Sequence, residues 1–264
     1  MKIKRIKLKS LKNTRDLGGI CTSDGKTIKN NLLIRSGHLG NASDEDISIL
    51  CKKHNLGIVV DFRIDAEIKE HPDNLCNAVQ YIRLPLLEKS YLGITRDEYS
   101  LYSWFNLFDD KTRTPDDIFY DMYDFLVFGD RARELIPQFF NILLESQGKA
   151  VLWHCSAGKD RVGITTMLLL LALGVDKDTI IDDFMATNKF TKNAILKTRI
   201  FSPLVIKERW KRKCLDVLMT VKPMYLERIF EKVEREYQSV EDFFEKQYGI
   251  NRDTIIQLKK MYLN

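Results

Sequence analysis

The sequence predicts an α/β fold, with a central, mostly parallel sheet flanked by helices and further helices near the C-terminus. Two short apolar segments, residues 57–61 and 150–153, are typical of strands buried in a parallel sheet. The second segment runs through a short loop into an apolar helical segment, residues 164–173. From about residue 203 onward only helical patterns follow. No repeat, low-complexity segment or linker divides the chain, so we expect one domain spanning residues 1–264.

The composition is that of an ordinary globular protein, with 44% hydrophobic and 30% charged residues. Lys and Arg number 42 against 37 Asp and Glu, a net charge of +5. This mild excess indicates a solvated surface, or at most some attraction for anionic substrates, and it does not indicate a nucleic-acid partner.

The cysteines favour a reducing compartment. They are odd in number and irregularly spaced, without a Cys-x-x-Cys pair, at positions Cys21, Cys51, Cys76, Cys155 and Cys214. We therefore expect neither a disulfide framework nor a zinc site. The longest apolar run, residues 167–173, is too short to span a bilayer, and no signal-peptide core precedes it. We expect a cytoplasmic protein without stable membrane insertion, while secretion by another route stays open, as does the oligomeric state.

The N-terminal third predicts strands and one capped helix. Residues 2–12 alternate apolar and basic side chains, which favours an edge strand over a membrane or nucleic-acid arm. Residues 32–35 and 79–84 are further strand candidates. Between them, Ser43 with Asp46 three positions later predicts a helix that runs to about His54.

The remaining segments predict helices. Residues 88–130 are rich in aromatic side chains and indicate one or two helices. Residues 131–146 form an amphipathic pattern that Pro137 either splits or begins. Residues 178–189 predict one more helix, and residues 203–264 predict helices only.

Residues 154–163 join the strand at 150–153 to the helix at 164–173, a layout suited to binding an anion. A helix N-terminus offers unpaired N–H groups and a positive dipole, and a loop with a glycine can curl further N–H groups around a phosphate. Cys155 and Arg161 are separated by five residues, so the loop can place a thiolate and a guanidinium around the same anion.

Several motifs resemble one family. His154-Cys155-x-Ala157-Gly158-Lys159-Asp160-Arg161 is similar to the phosphate-binding loop of cysteine-dependent protein tyrosine phosphatases, in their bacterial and fungal branch. Residues 13–19, 33–37 and 59–63 resemble that branch's Asn-x-Arg-Asp-Leu-Gly-Gly, Tyr-Arg-Ser-Gly and Val-Asp-Leu-Arg segments. The resemblance extends through the closing helices to about residue 258, so it covers nearly the whole chain.

The resemblance implies phosphomonoester hydrolysis through a phosphocysteine intermediate, without metal or cofactor. Cys155 is the expected nucleophile and Arg161 the clamp on the phosphoryl oxygens. Ser156, Ala157 and Gly158 are expected to bind the phosphate through backbone N–H groups. Lys159, Val162 and Asp61 are further expected substrate-binding residues. The expected partners are phosphoproteins, with tyrosine or dual specificity, or phosphoinositides. The resemblance also favours a helical lid at about residues 88–130, although core packing explains its aromatic residues equally well.

Two carboxylates are alternative candidates for the general acid. Asp160 is the first candidate because the family's Lys-Asp-Arg loop supplies an acid there, and Asp61 at the end of its strand is the second. Each can instead orient the loop or pair with an arginine. His71-Pro72-Asp73 is interpreted as a turn, and His154 as a structural residue that orients the loop.

Two loop residues bear on substrate recognition and on the rate at which the intermediate is hydrolysed. Lys159 is either a solvated lysine or a cation that recognises the additional negative charge of a phosphoinositide. Val162 stands where the family has Thr or Ser, whose hydroxyl assists breakdown of the intermediate, and Thr165 is a candidate substitute. This departure predicts slow hydrolysis of the intermediate. The departure is also compatible with a different function, that of a non-catalytic phosphate-reading module, which binds phosphate groups without hydrolysing them. A sulfur transferase that uses the same thiolate is a more remote alternative.

Overall fold

A computed structural model of the protein describes residues 3–87 and 112–264. Six strands form one sheet in the order β1-β2-β3-β6-β4-β5. Strands β3, β6, β4 and β5 run parallel, and β1 and β2 are attached antiparallel at one edge. This architecture confirms the predicted α/β class. The strands are β1 (Lys4–Arg5), β2 (Arg15–Asp16), β3 (Leu33–Gly37), β4 (Leu56–Asp61), β5 (Gln80–Arg83) and β6 (Ala150–Cys155).

Helices cover both faces of the sheet, α1 on one face and most of the others on the opposite face. In the described ranges they are α1 (Asp44–Lys53), α2 (Asp65–Glu70), α3 (Pro115–Phe128), α4 (Asp130–Leu144), α5 (Asp160–Leu173), α6 (Lys177–Phe190), α7 (Lys192–Val205), α8 (Arg209–Met219), α9 (Pro223–Glu236), α10 (Val240–Tyr248) and α11 (Arg252–Tyr262).

Strand β6 lies at the centre of the sheet and is buried along its whole length. Its side chains alternate between two cores, as the period of a strand requires: Val151 and Trp153 pack toward α3, α4 and α5, whereas Leu152 packs toward α1. The carboxyl ends of β3, β6 and β4 meet at one edge, where Cys155 pairs with Gly37. The loop after β6 therefore opens at the edge where α/β proteins usually bind ligands.

Local signals in the sequence match the observed helix ends. Ser43 accepts a hydrogen bond from the backbone N–H of Asp46 and forms the predicted capping box of α1. Gly174 ends α5 with φ +89°, a conformation that favours glycine. Pro223 begins α9, where the fixed φ of proline suits the first turn of a helix.

Three expectations need correction or lie outside the described residues. Pro137 neither splits nor begins a helix but lies inside α4, because burial of Phe139, Phe140 and other apolar residues outweighs a cost of about 3 kcal/mol. The N-terminal edge strand is confined to β1, and Ile6 packs in the core instead. Residues 88–111 of the proposed lid lie outside the described residues, and the rest of that segment includes α3. Within the described ranges, no helix has the length and apolar character needed to cross a membrane.

Candidate active site

The loop between β6 and α5 makes a tight turn that only glycine can complete. Gly158 has φ +67°, and a Cβ atom there would lie 2.4 Å from the carbonyl oxygen of Ser36. Both the left-handed conformation and the close approach to β3 exclude a side chain. This accounts for the glycine in a loop that the sequence predicted to curl around a phosphate.

Hydrogen bonds hold the loop carbonyls away from the loop's concave side. Asn13 Nδ2 donates to the carbonyl oxygens of Ala157 and Gly158, each at 3.0 Å. Arg35 Nη2 donates to the same Gly158 oxygen at 3.1 Å. The backbone N–H groups of Ser156, Ala157 and Gly158 donate no hydrogen bond within the described part of the chain. Together with the N-terminus of α5, they form a site suited to three oxygens of a phosphoryl group.

A buried ion-pair network fixes these two supporting side chains. Asp183 of α6 accepts from Arg15 Nε at 2.7 Å and from Arg35 Nη1 at 2.5 Å. Arg15 Nη1 in turn donates to Asn13 Oδ1 at 2.7 Å. Burial opposes ionisation of Asp183, but the charges of both arginines lower the pKa of its carboxyl group. The motif at residues 13–19 thus supports the loop from behind rather than lining its concave side.

Cys155 lines a cavity of about 190 Å³ next to the loop. Its side chain is nearly buried, and the loop residues Ser156, Ala157, Lys159, Asp160 and Arg161 line the same space. The remaining walls are apolar and come mainly from α3 and α8: Leu87, Phe119, Met122, Leu215, Leu218 and Met219. The contribution of α8 was not predicted from the sequence, because no local pattern indicates that this helix folds back over the loop.

Glu67 holds the guanidinium of Arg161 in place. The Oε2 and Oε1 atoms of Glu67 each lie 2.6 Å from a different terminal nitrogen of Arg161. The Ser156 hydroxyl also donates to Glu67 Oε1. Burial would raise the pKa of Glu67, but the charge and hydrogen bonds of Arg161 outweigh it and lower that pKa below its ordinary value. Sequence reasoning missed Glu67, since its position in the first turn of α2 also fits an ordinary helix cap.

The two candidate acids occupy different environments. Asp160 lines the cavity, its carboxylate is partly exposed, and Oδ1 accepts from the Tyr123 hydroxyl at 2.7 Å. Asp61 is fully buried and does not line the cavity. Burial opposes its ionisation, but His154, Arg63 and Tyr81 lower the pKa of Asp61 to about 2. The oxygens of Asp61 are already bound by Arg63 and Tyr81 within the core, which argues against the expectation that Asp61 contacts substrate.

Asp73 joins Asp61 in a network around His154 and Arg63. His154 Nε2 lies 3.0 Å from Asp73 Oδ2, and His154 Nδ1 lies 3.7 Å from Asp61 Oδ1. These three groups are close enough to coordinate a metal ion. However, Arg63 Nη2 already contacts Asp61 at 2.7 Å and Asp73 at 2.6 Å, so the positive charge there is supplied by the chain itself. Asp73 thus does more than form the predicted turn, because its carboxylate contacts His154, the residue directly before Cys155.

Lys159 is nearly buried and does not extend into solvent. Its Nζ atom lies 3.1 Å from Asp160 Oδ2, donates to the Thr220 carbonyl at 3.2 Å and lies over the Phe119 ring at 5.2 Å from the centroid. The alternative of a solvated surface lysine is therefore wrong. Lys159 is one of the residues that line the cavity.

Val162 and Thr165 both lie in the core below the loop. The Val162 side chain is fully buried and does not line the cavity, so of this predicted substrate-binding residue only the backbone can face an anion. Thr165 Oγ1 donates to the carbonyl oxygens of Arg161 at 3.1 Å and Val162 at 3.2 Å. Its hydroxyl is thus committed to the helix backbone, which argues against Thr165 as the substitute for the family's Thr or Ser.

Comparison with known proteins agrees with this geometry. A model of the tyrosine phosphatase family matches residues 6–264. A protein of Cupriavidus necator named "Putative tyrosine-protein phosphatase" is 26% identical over 261 residues, covering 96% of this chain and 86% of that protein. The triple specificity protein phosphatase PtpB of Mycobacterium tuberculosis is 28% identical over 134 residues, covering 46% of this chain and 47% of that protein. The chain is therefore a phosphatase and belongs to the tyrosine phosphatase family.

Proposed function

We propose that this phosphatase hydrolyses phosphotyrosine in proteins through a phosphocysteine intermediate on Cys155. The observation that supports this most strongly is the juxtaposition of Cys155, Arg161 and Asp160 around one cavity with apolar walls. A wall that includes Phe119 and Met122 suits the aromatic ring of phosphotyrosine. Phosphoserine and phosphothreonine lack this ring, so we expect them to be weaker substrates.

The loop binds the phosphoryl group and stabilises its charge. The N–H groups of Ser156, Ala157 and Gly158 donate to the non-bridging oxygens, and Arg161 supplies a positive charge beside them. Glu67 keeps the Arg161 guanidinium in one orientation, so little ordering is needed when substrate binds.

The reaction proceeds in two displacements. The Cys155 thiolate attacks phosphorus, the P–O ester bond breaks, and the Asp160 carboxyl group gives its proton to the departing phenolic oxygen. A water molecule then attacks phosphorus, Asp160 accepts its proton, and the P–S bond breaks to release phosphate and restore the thiolate. The position of Asp160 in the cavity lining supports it for both transfers, whereas Asp61 does not line the cavity.

The first experiment compares the unmodified protein with Cys155→Ser for phosphate release from phosphotyrosine and phosphoserine peptides, with a chelator present. We expect release from the phosphotyrosine peptide that the serine variant abolishes. Equal turnover by Cys155→Ser would refute the proposed nucleophile.

A comparison of substrates with different leaving groups tests the identity of the general acid. We expect Asp160→Asn to lose activity strongly on phenyl phosphate and much less on p-nitrophenyl phosphate, whose phenolate leaves without a proton. The matched variant Asp61→Asn should show no such difference between the two substrates. The reverse pattern would assign the acid to Asp61.

Phosphoinositides are a second candidate substrate, which the position of Lys159 in the cavity wall favours. The relative named for triple specificity also supports a substrate range wider than phosphotyrosine. We expect Lys159→Met to reduce phosphoinositide turnover far more than aryl phosphate turnover. Equal losses on both substrates would argue against a role for Lys159 in headgroup recognition.

A further inference from the structure

Helix α7 exposes most of the large apolar side chains that the described structure leaves in solvent. Seven such side chains are exposed in the described ranges, and five of them belong to this helix. They are 55% to 83% exposed, and we call them the α7 patch: Leu196, Ile200, Phe201, Leu204 and Val205. Such a concentration on one helix is characteristic of an interaction surface.

The helical periodicity makes these residues one continuous face. Leu196, Ile200 and Leu204 repeat every four positions and form one ridge, and Phe201 with Val205 forms the neighbouring ridge. On another side of the helix, Ile195 is buried. Within the described residues, α7 therefore presents its more apolar side to solvent, and core packing does not explain this arrangement.

Positive charge surrounds the patch in the sequence. Residues 189–213 contain nine Lys and Arg and one Glu, a net charge of +8, whereas the whole chain carries +5. The residues outside this segment therefore sum to −3. Seven of the basic side chains form no ion pair with a carboxylate in the described part of the chain: Lys189, Lys192, Lys197, Lys207, Arg209, Arg212 and Lys213.

We propose that the α7 patch docks on an anionic membrane surface, with the apolar side chains among the lipid headgroups and the basic residues on lipid phosphates. A second copy of the chain is a poor occupant, because pairing two such faces would bring two +8 segments together. An anionic lipid surface instead complements the basic residues that lie both before and after the apolar stretch. Their long aliphatic stems can pack at the interface while their charged ends reach the phosphates.

Docking in this way would bring the candidate active site close to the lipid. The Arg199 guanidinium of α7 lies 2.6 Å from the Asp216 carboxylate of α8, which ties the two helices together. Helix α8 in turn contributes Leu215, Leu218 and Met219 to the cavity above Cys155. The inference goes beyond the proposed function, and it holds whether the substrate is a membrane-associated phosphoprotein or a lipid.

The test is co-sedimentation of the full chain with vesicles of phosphatidylcholine, with and without about 30% phosphatidylserine, at about 0.1 M salt. We expect binding to the anionic vesicles and weak binding to phosphatidylcholine alone. Leu204→Ser with Val205→Ser should weaken binding about tenfold or more. Lys207→Gln with Arg209→Gln should weaken it roughly 30-fold, since each basic residue near the surface contributes about a factor of five.

Matched control variants separate the patch from general surface properties. Met224→Ser with Ile256→Ser removes exposed apolar side chains elsewhere, and a second pair, Lys52→Gln with Lys53→Gln, removes exposed charge from α1. These controls should change vesicle binding less than twofold. Activity on a soluble aryl phosphate should remain unchanged in every patch and control variant, which verifies folding independently of the membrane.

Three results would overturn the proposal. The first is no binding of the unmodified protein to anionic vesicles, and the second is an equal loss of binding in patch and control variants. The third is a dimer in analytical ultracentrifugation that Leu204→Ser with Val205→Ser dissociates, without vesicle binding, which would assign the patch to a second copy. Loss of phosphatase activity in Cys155→Ser tests the proposed function separately, because vesicle binding requires no turnover.

Discussion

Replacing Glu67 with Gln tests whether a buried carboxylate prepares Arg161 for catalysis. The substitution keeps the size and shape of the side chain but removes its charge and one of its two acceptor oxygens. One Arg161 nitrogen, now 2.6 Å from a carboxylate oxygen, would then face an amide N–H group. Two donors repel each other, so the guanidinium should rotate or shift away from its present position.

The contacts between Glu67 and Arg161 set the expected losses of stability and activity in Glu67→Gln. Losing one buried, charge-assisted hydrogen bond costs about 2 to 3 kcal/mol of stability, which for a chain of this length lowers Tm by roughly 4 to 10 °C. Displacement of Arg161 by as little as ~1 Å should lower kcat/KM for a phosphotyrosine peptide about 100-fold. Most of the loss should appear in kcat, because the guanidinium stabilises charge that develops during transfer.

Steady-state kinetics and thermal unfolding of Glu67→Gln measure both quantities. Glu70→Gln is the matched control, since it removes the same charge from an exposed position on the same helix. It should leave kcat/KM and Tm nearly unchanged. A Glu67→Gln enzyme with kcat/KM within twofold of the unmodified protein would refute the idea that Glu67 positions Arg161.

Three further predictions concern the loop and the core beneath it. Gly158→Ala should abolish activity and destabilise the fold, because its Cβ would lie 2.4 Å from the Ser36 oxygen. The control Gly25→Ala is also at positive φ but has no atom within 4 Å of the added Cβ. It should lower the free energy of unfolding, measured in urea, by only about 1 kcal/mol. The unmodified enzyme should show a burst of aryl product in stopped flow, and Val162→Thr should shorten the slow phase, whereas a linear time course in both would contradict slow hydrolysis of the intermediate. Because the pKa of Asp61 is lowered to about 2, its ionised form stabilises the fold above about pH 4, and this contribution of about 2 kcal/mol is lost as pH falls toward 2. Asp61→Asn should therefore flatten the measured fall in the free energy of unfolding over that range. An unchanged slope would count against the ion-pair network.

Features set by neighbouring residues were predictable from the sequence. The capping box of Ser43 and Asp46, the glycine that ends α5 and the buried central strand all depend on chemistry within a few positions. The extent of β1 was not predictable in this way. Ile6 leaves the sheet edge to pack against the core near α1, and that choice depends on tertiary packing rather than on alternation.

The side chains that hold the site are harder to predict because their partners are distant in sequence. Glu67 is separated from Arg161 by 94 positions, and Asp183 from Arg15 by 168 positions. The loop motif indicates which groups face the phosphate but not which carboxylates orient them. One signal was available: Asp183 lies on the same helical face as Ile180, Phe184 and Thr187, where an acidic residue needs a buried partner.

The most direct test of the proposed mechanism is to trap the intermediate. Protein turning over a phosphotyrosine peptide is quenched in acid within the burst phase, digested and analysed by mass spectrometry. The mechanism predicts one phosphate on the peptide that contains Cys155, attached through sulfur and absent from the Cys155→Ser variant. Turnover without such an adduct, or phosphate on a different residue, would contradict the assignment of Cys155 as the nucleophile.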